Sequence, residues 1–371
     1  MKVDARVGAV PSEALAASFP PLDLPIPPPF PPMEARSVAE IPAGPGWIYE
    51  PKWDGFRCLA FRHREQVVLQ SKAGQPLTRY FPEVVEMLAR LAPTRFVLDG
   101  EIVVAQDGVL SFDDLLQRIH PAASRVQKLA RATPATLLVF DLLLDAGGQS
   151  LIQRPFTERR AALESFVAAL GAVDGLAPSP VTPDRAIAER WMQELGAAGL
   201  DGVMAKKAAE PYRSGERTGM QKIKRMRTAE CVVGGFRYAS QGGEIGSLLL
   251  GLYDDDDGLL HHVGFSSSFT RDERRGLRPI LEPLVETPGF TGSAPGGPSR
   301  WASERSTEWQ PLRNVLVAEV RYDHFSGDRF RHGTKFLRWR PDKNPRRCTF
   351  DQVRSRGGRG VLRQFGLERG A

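Results

Sequence analysis

Three cysteines in 371 residues, Cys58, Cys231 and Cys348, stand far apart, are odd in number and form no C-x-x-C pair. That pattern excludes a disulfide framework and a structural zinc site of the usual spacing, and a reducing cytoplasm is the expected compartment. No run of about 18 apolar residues is present, so no transmembrane helix is available and no membrane partner is expected. The opening MKVDARVGAVPSEALAASF lacks the apolar centre of a secretory signal. Neither sign of charge dominates: 50 Lys plus Arg face 44 Asp plus Glu, a net charge of +6. With 42% apolar and 25% charged residues the chain is neither collagen-like nor disordered in composition. Its length suits two domains at about 100 to 200 residues each.

The charge is unevenly spread. Residues 300–371 hold 17 Lys plus Arg and 8 Asp plus Glu, a local +9 that leaves residues 1–299 at −3. Such a cluster attracts the phosphates of nucleic acid or of a nucleotide, although charge alone fits a solvated surface equally well.

Residues 1 to about 45 are Pro-rich, with PPLDLPIPPPFPP at 20–32, and read as an extended or disordered arm. Residues 1–24 are set apart as that arm and 25–228 as a first, α+β domain. Strand-like runs at 56–62, 67–71, 96–105 and 136–144 alternate there with helix-like runs at 82–92, 112–119, 157–170 and 184–199. Thr157 and Thr182 precede helix starts as N-caps do. Beyond Arg227 the helical pattern nearly vanishes. Strand-like segments at 230–238, 247–254, 259–266, 315–323 and 335–341, with one helix near 270–286, suit an OB-fold β-barrel over 229–350. A basic tail follows at 351–371. The Pro/Gly/Ser stretch at 287–301 reads as a loop inside the barrel, and DDDDG at 254–258 as a solvated hairpin tip.

Between two strand-like runs lies YEPKWDGFR at 49–57, which contains K-x-D-G-x-R as Lys52, Asp54, Gly55 and Arg57. A lysine is a nucleophile only when its amine sheds a proton near neutral pH, which desolvation or neighbouring cations promote. Arg57, Lys222 and Lys224 would supply such a field if the fold gathers them. In QKIK at 221–224 strand alternation puts Lys222 and Lys224 on one face and Ile223 behind. Further segments follow in order: LDGEIV at 98–103, LLVFDLL at 137–143, GLDGVMAKK at 199–207 and RWRPDK at 338–343.

Together these segments resemble motifs I, III, IIIa, IV, V and VI of the covalent nucleotidyltransferases, specifically the ATP-dependent DNA ligases. The resemblance is nearest to the small two-domain bacterial ligases called ligase C, where YEPKWDGFR, LTRYFPE, EVRYDHF and FLRWRPDK recur, and it covers about residues 25–350. It implies an adenylation (nucleotidyltransferase) domain of ATP-grasp-like antiparallel sheets with helices, followed by the OB-fold. Lys52 would attack the α-phosphate of ATP to give lysyl-AMP, the AMP would pass to the 5′-phosphate of nicked double-stranded DNA, and a 3′-hydroxyl would displace it. The resemblance assigns Arg57, Lys222 and Lys224 to the α-phosphate, and Glu101 and Asp201 to Mg²⁺ (or Mn²⁺) and the ribose. Asp201 stands where most of the family has the longer Glu. Phe140 would stack on adenine and Glu50 would read its amino group. Lys72 replaces an arginine and keeps the charge without the bidentate fork. Arg340 and Lys343 would orient the pyrophosphate. A monomeric enzyme of DNA repair, with DNA-repair proteins as partners, is implied as well. Two other readings are RNA joining or GTP-dependent capping, and a non-catalytic OB-type nucleic-acid-binding protein; the joint presence of Lys52, Glu101, Lys222 and Lys224 weighs against the second.

Overall fold

The computed structural model describes residues 19–106, 108–194, 196, 199–239, 243–296, 308–354 and 362. They form two compact units, one reaching to Lys224 and including Leu362, the other beginning at Arg225.

The first unit contains β1 (Arg36–Val38), β2 (Trp47–Lys52), β3 (Phe56–His63), β4 (Gln66–Ser71), β5 (Arg95–Val103), β6 (Ala105–Gln106), β7 (Val109–Leu110), β8 (Thr136–Leu144), β9 (Leu176–Pro178), β10 (Gly202–Lys207) and β11 (Met220–Lys224). They build two principal sheets, five-stranded β4-β3-β5-β8-β9 and four-stranded β1-β11-β10-β2. Alternation sorts the larger sheet's faces, because successive strand side chains point to opposite sides. Cys58, Ala60, Leu69, Phe96 and Leu98 enter a core closed by the helices Pro82–Ala89 and Phe156–Leu170, through Val84, Leu88, Leu163 and Phe166. Leu59, Phe61, Val68 and Val97 face the other way.

That second face corrects the expectation of a disordered arm. Phe19, Leu22, Leu24, Ile26 and Met33 are buried against it. Each such side chain is worth about 1.5–3 kcal/mol on burial, and the prolines between them have already given up backbone freedom. Gln70 fixes the segment further: its amide donates to the Phe30 carbonyl at 2.7 Å and accepts from the Phe30 N–H at 2.8 Å. Residues 1–18 lie outside the described residues.

Two local expectations also change. Thr157 lies inside the helix Phe156–Leu170, whose N-cap is Pro155 with no side-chain cap. The polar helix Ala123–Ala132, with only Val126 and Ala130 buried, carries too thin an apolar stripe to be read from sequence. Thr182 does act near a helix start, accepting from the Asp184 N–H at 3.1 Å.

The second unit contains β12 (Arg227–Tyr238), β13 (Ile245–Tyr253), β14 (Leu260–Ser266), β15 (Gln310–Pro311), β16 (Val317–Tyr322), β17 (Phe325–Ser326), β18 (Arg329–Phe330) and β19 (Lys335–Trp339). The main strands run β14-β13-β12-β16-β19, and a parallel bridge between Ser266 and Thr334 brings the two ends together, as an OB barrel requires. The helix Arg271–Leu281 opens with a capping box between Thr270 and Glu273. DDDDG forms an exposed turn after β13. Of the loop at 287–301, residues 297–301 lie outside the described residues.

Of the basic tail at 351–371, only residues 351–354 and 362 are among the described residues. Phe350 and Val353 join the barrel core, and Arg354 pairs with Asp254 at 3.0 Å. Leu362, fully buried, packs with Trp53, Val103 and Leu138 of the first unit.

Candidate active site

The four-stranded sheet has two chemically different faces, and the split follows from residue alternation. Tyr49, Val203, Ala205 and Ile223 pack with Ala188 of the helix Arg185–Glu194. The alternate positions of β2, β10 and β11 carry Glu50, Lys52, Met204, Lys206, Lys222 and Lys224. Antiparallel register sets Lys52 opposite Gly202, Glu50 opposite Met204, and these opposite Lys224 and Lys222 in turn. Gly202, at φ 151°, lets β11 approach, since a Cβ there would run into the Ile223 carbonyl. Gly55 is needed for the same reason beside the Ile102 carbonyl.

This face and the inner end of the larger sheet enclose a cavity of about 190 Å³, lined by Glu50, Lys52, Glu101, Phe140, Met204 and Lys222 among others. Lys52 donates to Asp201 Oδ2, which also lies 3.7 Å from Lys224 Nζ. The Asp201 N–H bonds the Lys52 carbonyl at 3.1 Å, so the two backbones adjoin. Asp54 and Asp201 bring carboxylate oxygens within 4.8 Å of each other. Burial pushes the Glu101 carboxyl up to about 7; Arg57 and Lys52 oppose the rise, while Asp54 and Asp99 add to it.

Arg57 lines the same cavity and is anchored by a carboxylate. Its Nε and Nη2 donate to Asp99 Oδ1 and Oδ2, both at 2.5 Å, and its guanidinium lies 4.6 Å from the Phe140 ring centroid. Burial disfavours its charge, but Asp99 more than offsets that and holds the pKa above the ordinary arginine range. Asp99 is itself fully buried and accepts from Tyr212 Oη at 2.6 Å. Arg57, Lys52 and Lys222 line one cavity together, with Arg57 anchored by Asp99, while Lys224 shares Asp201 with Lys52. Among the described residues no carboxylate pairs with Lys222. Its pKa is lowered by burial and by the nearby charges of Lys72, Lys52, Lys224 and Arg217. Lys72 is exposed and pairs with Glu34 at 3.0 Å.

Glu50 is buried, and Lys206 Nζ stands 2.9 Å from each of its oxygens. Burial raises the Glu50 pKa, opposed by Lys206 and Arg160. Neither Lys206 nor Asp99 is conspicuous in the sequence, although the two-residue period that places Lys222 and Lys224 would have placed Lys206 as well.

Arg340 and Lys343 belong to the second unit. Arg340 donates to Glu230 and to Asp342 at 2.9 and 2.7 Å, and Lys343 pairs with Glu230 at 2.5 Å. The hydrogen bonds from Arg340 pull the Asp342 carboxyl down to about 2.

A lysine-lined cavity between two mainly antiparallel sheets, joined in sequence to an OB barrel, is the build of a nucleotidyltransferase. Residues 32–224 match the family model of the ATP dependent DNA ligase domain and residues 241–343 that of the ATP dependent DNA ligase C terminal region. The chain is 46% identical to DNA ligase C2 of Mycolicibacterium smegmatis, over 90% of its own length and 97% of that protein. It is 47% identical to DNA ligase C of Mycobacterium tuberculosis, over 90% and 96%. A solved chain from work on DNA binding by the minimal Lig E DNA ligases superposes with a TM-score of 0.53 at 15% identity, covering 83% of this chain and 99% of that one, a likeness of fold alone. The chain belongs to the ATP-dependent DNA ligases.

Proposed function

We propose that this ligase seals nicks between a 3′-hydroxyl and a 5′-phosphate in duplex DNA, with Lys52 as the nucleophile of the first of three in-line transfers. The observation that carries the proposal is Lys52, hydrogen-bonded to Asp201 at one end of a cavity that also holds Glu50, Phe140 and Lys222. Lys52 must shed a proton before it attacks, and Asp201 is the acceptor in contact with it. The amine then forms a P–N bond to the α-phosphorus of ATP as the P–O bond to pyrophosphate breaks. In the second transfer an oxygen of the DNA 5′-phosphate attacks the AMP phosphorus and the P–N bond breaks, returning the amine. In the third, the 3′-hydroxyl oxygen attacks the 5′-phosphorus and AMP departs.

Little covalent chemistry falls to the protein in such transfers; placing groups and neutralising charge do most of the work. Lys222, which pairs with no carboxylate among the described residues, and Lys224 face the α-phosphate. Phe140 stacks on adenine, and Glu50 accepts from its amino group. Asp54 and Asp201 bring carboxylate oxygens within 4.8 Å of each other and Glu101 adds a carboxylate to the cavity, hard oxygen donors of the kind that fit Mg²⁺ or Mn²⁺. Bound there, the ion would neutralise phosphate charge. Arg340 and Lys343 serve the pyrophosphate in the first transfer, and the basic side chains of residues 300–371 the DNA backbone. The enzyme acts as a monomer in DNA repair in the cytoplasm, in company with repair proteins.

Incubation with α-labelled ATP and Mg²⁺ should label the protein covalently, and Lys52→Ala should abolish both the label and nick sealing. Labelling by GTP in place of ATP would move the enzyme to the capping class. No label in the wild type would leave a nucleic-acid-binding protein.

A further inference from the structure

Lys206 lies on β10 one diagonal step from Glu50 on β2, a reach that suits a long side chain. It is 6% exposed. Its ammonium touches both Glu50 oxygens at 2.9 Å and lies 4.6 and 4.7 Å from the ring centroids of Phe140 and Phe156. A lysine boxed by one carboxylate and two aromatic faces has its donors committed and its position fixed. It touches the two residues assigned to adenine without needing to touch the nucleotide.

We propose that Lys206 is a positioning residue that sets the base preference of the nucleotide pocket by holding Glu50 as an anion against the edge of Phe140's site. This rests on the adenylation reading above. An ionised carboxylate only accepts hydrogen bonds, so it welcomes adenine's 6-amino group and opposes guanine's 6-carbonyl. A protonated carboxyl also donates, and would satisfy guanine. Burial favours the protonated form, so the preference for adenine depends on a fixed cation beside Glu50. The groups facing Glu50 are Lys206 from β10, Arg160 from the helix Phe156–Leu170, and Asp141 from β8. Asp141 is engaged by Arg159 at 2.8 and 2.9 Å, and its charge still disfavours that of Glu50. Removing Lys206 leaves Arg160 as the one cation of this set acting on Glu50.

The test is lysyl-AMP and lysyl-GMP formation from labelled ATP and GTP, measured from pH 6 to 9 in wild type, Lys206→Met, Lys206→Arg and the double variant Glu50→Gln, Lys206→Met. Lys206→Met should raise KM for ATP and narrow the ATP-over-GTP preference by about tenfold, the equivalent of one pKa unit at Glu50. The loss should deepen as pH falls and recover as pH rises and Glu50 ionises. Lys206→Arg, which keeps the charge, should retain the preference. The double variant, neutral at both positions, should fold and show a preference that no longer varies with pH. An unchanged preference and flat pH response in Lys206→Met, or loss in Lys206→Arg as complete as in Lys206→Met, would overturn the inference while wild-type labelling stands. A double variant that still responds to pH would overturn it too, because Glu50 would then not be the titrating group. Failure of the wild type to take label would overturn the adenylation reading and this inference with it.

Discussion

In the first unit Arg57 and Lys206 rest on carboxylates that the fold has buried: Asp99 and Glu50 are 0% and 2% exposed. In the second unit Arg340 and Lys343 rest on Glu230 and Asp342 near the surface, where Asp342 is 63% exposed. Removing one member of a desolvated pair strands the other in low dielectric, whereas solvent-exposed pairs are screened and exchange partners readily. The first arrangement suits side chains that shape a pocket permanently. The second suits side chains that must trade a carboxylate for a phosphate during one step and return.

The sharpest way to break that contrast is Asp99→Ala, which removes the carboxylate from the Arg57 guanidinium and leaves Tyr212 Oη accepting from the Met33 N–H but without Asp99 as its own acceptor. It should destabilise the first unit by about 3–5 kcal/mol, read as a lower Tm, and labelling by ATP should fail with it. A variant of wild-type stability would mean that the pair is not structural. Next in size is a kinetic effect. Arg340→Ala should slow lysyl-AMP formation by about 10²–10³-fold, the usual cost of losing one charge-stabilising donor. Sealing of a nick supplied already adenylated should stay close to wild type. Equal loss in both steps would remove the division of labour between the units.

The smallest effect concerns the barrel alone. His262 is buried; burial, with Arg329 and Arg237, lowers its pKa to about 3, and the Gly264 backbone only partly opposes that. An unfolded chain binds a proton there near pH 6.5, whereas the folded barrel resists it until about pH 3. Between those values the folded state therefore loses stability as pH falls, by about 1 kcal/mol at pH 5.5. Urea unfolding followed by tryptophan fluorescence at pH 7.0 and 5.5 should show that difference reduced in His262→Phe. An identical acid response in both proteins would contradict it.

Much of the fold was legible because its strands carry dense apolar runs. TLLVFDLLL at 136–144 is a strand residue for residue, and the five main barrel strands fall where their runs predict. The arm was not legible, because its prolines, PPLDLPIPPPFPP at 20–32, mask a two-residue alternation that buries Leu22, Leu24 and Ile26. In the site, Lys222 and Lys224 could be placed on one face from alternation, whereas Lys52 joins them only through the register of β10 with β2 and β11. Asp99 could not be matched to Arg57, since that pairing depends on the register of β3 against β5. Lys206 lay within reach of the same alternation, in the segment GLDGVMAKK. Its meaning appears only when β10 is laid beside β2.

The most direct test of the central claim is to incubate the intact protein with ATP and Mg²⁺, digest it and map the AMP adduct by mass spectrometry under conditions that preserve a phosphoramidate. One AMP on the peptide bearing Lys52 is the predicted result. AMP on Lys206, Lys222 or Lys224, or sealing of nicks by a Lys52→Ala protein, would contradict it.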